Sequence, residues 1–286
     1  MAQEQGFASD NLCVLMSGVV ASAMKGFSAK QVEPWVESLN RTSFDGRRIV
    51  LSYGLPDETM VYLKRNGFDI FSSEQKVHLF IQRFFDLAVI LEGCDVDKII
   101  WVDSRDLIFQ RNPLDWIEWN QLKPILACSE AVKMGDDDWA SQNASAGYPY
   151  EWKWLKQKES HCAGCIIGDK KYMLALFHDV FRWSLTSSNK NEPTDQAAYN
   201  VLINSPQWQP YVQSVKQEEG LAIQMGTTHA KRDFFGNLLM EPPPLILDDG
   251  TVATQNGTPF CIVHQYDRDQ ALKSVIHSRY ASSDGA

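Results

Sequence analysis

Three times in the first hundred residues an apolar run of strand length is followed by a stretch with helical spacing, and a fourth apolar run closes the series. Leu12–Ser17 reads as a first buried strand, followed by a helix over Ala29–Leu39 that puts Val32, Trp35, Val36 and Leu39 on one face. RRIVLSYG is the next strand. PDETMVYLKRNG is a helix, with Pro in its first turn and Gly at its end. FDIFSS follows, then the longest helical pattern, Gln75 to Leu91, with Val77, Phe80, Ile81, Phe84, Phe85, Ala88 and Leu91 on a wide apolar face. KIIWV completes the series. Strands alternating with helices imply right-handed crossovers and a mainly parallel sheet covered on both faces, so the expected class is α/β. Sites in such sheets open at the carboxyl ends of the strands.

The second half is less regular. PILACSE and AGCIIG read as strands and Lys170 to Leu185 as a helix, and Thr194 is a candidate N-cap for DQAAYNVLI. Residues 136–160 are polar and aromatic and predict a long loop with a short helix over an opening. PLILDDGTVATQNGTPFCIVHQ holds two turn signals between apolar runs, which predicts a β-hairpin or meander. With no internal repeat and no Gly/Ser linker, residues 1–286 read as one domain. It divides into a regular half, 12–110, and a less regular half, 111–286.

Composition excludes several classes. Hydrophobic residues make up 44% and charged residues 22%, a globular balance. The net charge of −9 argues against binding nucleic acid, but it permits a small diphosphate if a metal ion brings the positive charge. The apolar stretch Leu12–Met24 is broken by Ser17, Gly18 and Ser22, too short to span a bilayer, and the segment before it carries acid but no Lys or Arg. The expectation is a cytoplasmic protein. Six cysteines suit a reducing compartment, and the sequons at Asn40, Asn143 and Asn256 then read as chance.

The strongest chemical feature is Asp103-Ser104-Arg105-Asp106, directly after the IIWV run. Two carboxylates emerging from an apolar strand repel each other unless a cation sits between them, and hard oxygen ligands suit Mg²⁺ or Mn²⁺. A bare D-x-x-D is otherwise an acidic surface turn. His264 ends another apolar run, as an edge residue or as a neutral imidazole ligand. Asp195 at a helix start makes a charge–dipole contact or projects into a cleft. Arg83 is a solvated charge or a partner of Asp86. Cys162-x-x-Cys165 has no second ligand pair, so a buried thiol pair is read in preference to zinc. The cluster Trp139, Tyr148, Tyr150, Trp152 and Trp154 serves as a satellite core or as a wall for sugar rings.

KIIWVDSRDLIFQRNP resembles the strand and DxD-type motif of GT-A-fold glycosyltransferases, in the form found in small bacterial and large-DNA-virus enzymes that build surface glycans. HCAGCIIGD, PTDQAAYN and FCIVHQYDR are similar to further blocks of that family and stand in its order, from Val14 to Arg268 overall. The resemblance implies a GT-A (Rossmann-like) sheet with a C-terminal hairpin. It also implies metal-dependent transfer of a sugar from a nucleoside diphosphate sugar, UDP above others, to a hydroxyl of a glycan. It makes Asp103, Asp106 and His264 metal ligands for Mn²⁺ or Mg²⁺, with Asp103 alternatively on the ribose. Ser17, Arg83, Asp103, Ser104 and Arg105 fall on the donor side, with the base and ribose near Asp45–Arg48. His161, Gly164, Asp138 and Trp139 fall on the acceptor side. Asp195 becomes the catalytic carboxylate, taking the acceptor proton or orienting the donor sugar. Two alternatives stand beside this reading. One is a sugar nucleotidyltransferase, disfavoured because SGVVASAMKG lacks a basic Gly-rich loop. The other is a non-catalytic sugar-binding module.

Overall fold

A computed structural model describes residues 17–189, 192, 194–228 and 243–281. Its elements in order are β1 (Gly18–Met24), α1 (Ala29–Asn40), β2 (Arg47–Ser52), α2 (Asp57–Arg65), β3 (Asp69–Ser72), α3 (Leu79–Glu92), β4 (Lys98–Val102), β5 (Leu107–Phe109) and α4 (Pro113–Asn120). There follow β6 (Ile125–Lys133), α5 (Asp138–Gly147), α6 (Trp152–Leu155), β7 (Glu159–Asp169), α7 (Lys170–Thr186) and α8 (Asp195–Ile203). The chain continues through β8 (Val212–Val215), β9 (Ala222–Gln224), α9 (Met225–Thr228), β10 (Leu245–Ile246), β11 (Val252–Ala253), β12 (Ile262–His264) and α10 (Gln270–Arg279).

Seven strands form the central sheet in the order β3-β2-β1-β4-β7-β6-β8. All neighbours are parallel except β4–β7 and β6–β7, because β7 runs against both. Alternate residues of each strand serve opposite faces. Val20, Val50, Ile100 and Val102 pack with Trp35 and Leu39 of α1 on one side. Val19, Ile49, Ile99 and Trp101 pack with Phe84 of α3 and Phe177 of α7 on the other. This double burial is why the strands read as continuous apolar runs. The expected α/β class and helix-covered, mainly parallel sheet are therefore present.

A second sheet of three strands, β5-β12-β9, stands beside the first. Leu107, Phe109 and Ile262 face the core shared with α1, while Ile108, Ile223 and Val263 face Leu272 and Ile276 of α10. The expected C-terminal hairpin forms across DDG as β10–β11, but β12 leaves it to pair with β5 and β9.

One expectation falls outside the described residues, and two readings need correction. The strand placed over residues 12–17 lies outside the described residues except for Ser17, and the first strand described is β1, which takes up the stretch read as a loop after strand one. The segment 136–160 is largely helical. Asp137 caps α5 by accepting from the Ala140 amide at 2.8 Å.

Candidate active site

The carboxyl ends of β1 and β4, the amino half of the antiparallel β7, the end of β12 and the amino ends of α5 and α8 surround a cavity of about 920 Å³. β4 delivers the acidic turn to its floor. Asp103 follows the last strand residue, and its amide donates to the Gly164 carbonyl of β7 at 2.8 Å. The peptide of Asp106 is fixed from the opposite side, its carbonyl accepting from the Gln265 amide at 2.6 Å. Gln265 adopts φ +59°, a left-handed conformation uncommon for a side-chain-bearing residue. Its side-chain oxygen accepts from the Gly226 amide at 3.1 Å.

These constraints bring three groups of the acidic and imidazole set together. His264 Nε2 lies 3.7 Å from Asp103 Oδ2 and 3.6 Å from Asp106 Oδ1. Gly164 makes the approach possible: a Cβ there would stand 2.3 Å from Asp103 Oδ2 and 3.0 Å from the His264 ring. This strand position therefore excludes any side chain. Burial pushes the Asp106 carboxyl up, but His264, then Arg105 and Arg268, outweigh it and hold the group at about 2. Burial opposes charge on His264, yet contacts with Cys162 and then with the Asp106 carboxylate outweigh it and raise its pKa well above the ordinary histidine value. Among the described residues no group of three or more His, Cys, Asp or Glu side chains is spaced to hold a metal ion. The donor chemistry nevertheless fits a divalent ion, with two carboxylates and one imidazole nitrogen meeting at a cavity floor.

Arg83 ties the floor to α8. It is on the buried face of α3, reaching Asp103 Oδ1 at 2.7 Å with Nη1 and Asp195 Oδ2 at 3.0 Å with Nη2. The rings of Phe80, Trp101 and Phe84 lie 4.9, 5.0 and 5.3 Å from its guanidinium carbon. Asp86 is not its partner; that carboxylate accepts from Tyr53, Ser73 and Gln82. Burial raises the Asp195 carboxyl and Arg83 draws it back, with a net rise. Ser104 is buried beside the cavity. Arg105, at its rim, pairs with Asp267 at 3.4 Å.

The remaining residues singled out in the sequence divide cleanly. Gly164 and Trp139 line the cavity. Ser17 does not: it precedes β1 and bonds to Asp97 at the amino edge of the sheet. Asp45–Arg48 stand at the same wrong edge, where Arg47 opens β2 and Arg48 donates to Asn40 and the Asn66 carbonyl. His161 is on β7 but turns away from the cavity, its Nε2 2.8 Å from Ser214 Oγ, and burial lowers its pKa to about 4. Asp138 is exposed, and its neighbour Asp137 reaches the cavity wall instead. Tyr148 and Trp152 belong to a satellite core. Cys162 faces the cavity while Cys165 packs against Cys128, their sulfurs 3.6 Å apart.

Sequence reasoning missed Lys25, Phe27, Glu130, Gln196 and Arg268 as cavity residues. Glu130 carried a legible signal, an acid inside a strand-like run. Its side chain is buried, accepts from Ser160 and from Gln196 at 3.0 Å, and is raised in pKa by burial.

No family model matches this sequence and no curated protein matches it. Solved structures do. Over 94% of its length the chain superposes on the glycosyltransferase GlyE of Streptococcus pneumoniae TIGR4, with TM-score 0.60 and 16% identity. The fold is that of GT-A glycosyltransferases. The chain spans 61% of GlyE, so it corresponds to part of that protein. It also superposes over 93% of its length on the galactosyltransferase LgtC, crystallised with donor and acceptor sugar analogs, at TM-score 0.56 and 12% identity, covering 98% of that chain. The bifunctional glycosyltransferase WbbM matches over 89% of this chain, at TM-score 0.57 and 12% identity, with 46% of WbbM covered. Among the described residues no helix is long and apolar enough to cross a membrane.

Proposed function

We propose that the chain is a glycosyltransferase that moves a sugar from a nucleoside diphosphate sugar, UDP-linked in our reading, to a hydroxyl of a glycan acceptor. Asp106, His264 and Asp103 hold Mn²⁺ or Mg²⁺. The observation that carries the proposal is the meeting of His264 Nε2 with two carboxylates from the end of β4, under one large cavity. A divalent ion held by these residues would supply the positive charge that stabilises the negative charge growing on the leaving group.

The chain's own residues do the rest. Arg83 spends both of its terminal nitrogens on Asp103 and Asp195, so it fixes the two carboxylates relative to each other and does not bind phosphate. Asp195 has one oxygen tied to this buried guanidinium, which favours an orienting role toward the donor sugar over removal of the acceptor proton. Lys25, Arg105 and Arg268 line the cavity and place positive charge where a diphosphate needs it. Phe27, Phe80 and Trp139 offer flat apolar faces to a base or a pyranose ring. The amino end of α5 walls the acceptor side and excludes water that would compete with the acceptor. A nucleotidyltransferase reading gains nothing from the turn after β1, Lys25-Gly26-Phe27, which offers one Gly and one Lys.

Asp106→Asn tests the proposal. Transfer should fall on the order of 10²-fold or more. The stabilisation by UDP with Mn²⁺, ~2.7 kcal/mol at ~100 times the dissociation constant, should vanish from a thermal-shift assay. Full activity of this variant in chelator, or no response of the wild type to UDP, GDP, CMP or dTDP with Mn²⁺, would refute it.

A further inference from the structure

Behind the His264 ring lies a residue that no motif marks. β9 runs parallel to β12, and their register sets Gln224 directly beside His264. Both side chains are buried, Gln224 completely. Gln224 Oε1 stands 2.7 Å from His264 Nδ1, a normal length for a nitrogen donor and an amide oxygen. The Cys162 sulfur stands 3.5 Å from the same nitrogen, a looser contact.

We infer that Gln224 is the positioning residue of the proposed metal centre, holding the His264 proton on Nδ1 so that the Nε2 lone pair faces Asp103 and Asp106. The inference rests on the proposed metal-dependent reading. An imidazole can offer a lone pair from one nitrogen only if the other carries the hydrogen, and the group hydrogen-bonded to the second nitrogen decides which. Gln224 accepts the Nδ1 hydrogen through an amide oxygen and brings no charge of its own. The centre thus keeps two negative charges, from Asp103 and Asp106, to balance one divalent ion. A carboxylate in the same place would add a third. The backbone reinforces the arrangement: α9 begins directly after Gln224, and the Gly226 amide is held by Gln265, the residue next to His264.

The test is a titration with MnCl₂, read as loss of the free-ion signal in electron paramagnetic resonance, with and without UDP. Gln224→Met keeps the volume and removes the acceptor; it should weaken Mn²⁺ binding about 10- to 100-fold. Gln224→Glu restores an acceptor oxygen and should recover affinity to within a few-fold of wild type, a rescue that a purely space-filling role does not predict. Circular dichroism melts of both variants without metal establish that they are folded. If either variant fails to fold, Gln224→Asn takes its place; it retains the amide but withdraws it from Nδ1, and weaker Mn²⁺ binding is again expected. Wild type that binds Mn²⁺ together with Gln224→Met that binds it equally well overturns this inference and leaves the proposed function standing. Wild type that binds no Mn²⁺ in either condition overturns the metal-dependent reading and the inference with it.

Discussion

At the amino edge of the central sheet Arg47 meets Asp69 at 2.7 Å, with 43% and 53% of the two side chains exposed. At the carboxyl edge Arg83 meets Asp103 at the same distance, but the arginine is 5% exposed and lies against three aromatic rings. Ser17–Asp97 also decorates the amino edge, and water screens such exposed contacts. At the other edge one guanidinium serves two carboxylates, the second 3.0 Å away on α8. Identical contact lengths thus describe a solvated surface at one end and a fixed charge network at the other. Burial is the difference. It costs desolvation and is tolerated where each charge has a partner, which is the condition for holding donor atoms still at a reaction centre.

The comparison can be broken most directly at Arg83. Arg83→Met should lower the stability measured by urea unfolding by about 3–5 kcal/mol, since it leaves Asp195 buried, and Asp103 part-buried, without their cation. A loss no larger than that of a surface pair would remove the distinction between the two edges.

His161 sharpens the same point for a buried group with no charged partner. Desolvation holds it at about 4 in the folded chain, against ~6.5 when unfolded. The stabilisation is complete above ~6.5, declines as the pH falls from there to about 4, and is flat below, amounting to about 3 kcal/mol in all. Unfolding free energies at pH 7 and pH 4.5 should differ less for His161→Gln than for wild type. Equal differences would mean that His161 is not held neutral.

Arg47→Met gives the smallest effect. A half-exposed pair contributes about 0.2–1 kcal/mol, so urea midpoints should move by no more than that, and less in high salt.

Much of this arrangement was legible before any coordinates. The first helix, the second and third strand–helix steps, the strand KIIWV and the helix from Lys170 stand where apolar spacing put them. Asp103 and Asp106 were marked by acid emerging from a wholly apolar run, a local pattern. Arg83 is the instructive intermediate case. Its helix was read correctly, but Phe80 and Phe85, placed on the apolar face, are 42% and 40% exposed, while Arg83 is buried. Hydrophobicity alone assigned the face; the two carboxylates that make burial of an arginine tolerable come from residues 20 and 112 positions away. Asp137 and Asp138 differ for a similar reason, since the helix start that buries one and exposes the other lies inside a stretch too polar to show a period.

What the sequence by itself determined is the content of each element and the chemistry at its ends, because strand and helix preferences and caps are set within a few residues. Only the tertiary structure decided which ends face one cavity. Parallel register placed Ser17 and Arg47 at one edge of the sheet and Asp103 at the other. Pairing of β12 with β5 and β9 carried His264 to Asp106 and set Gln224 behind it. The antiparallel passage of β7 brought Gly164 to the one point where a Cβ would collide with Asp103. These are contacts between residues far apart in the chain. They are fixed by strand register and by the cost of burying unpartnered charge, which no local window of sequence contains.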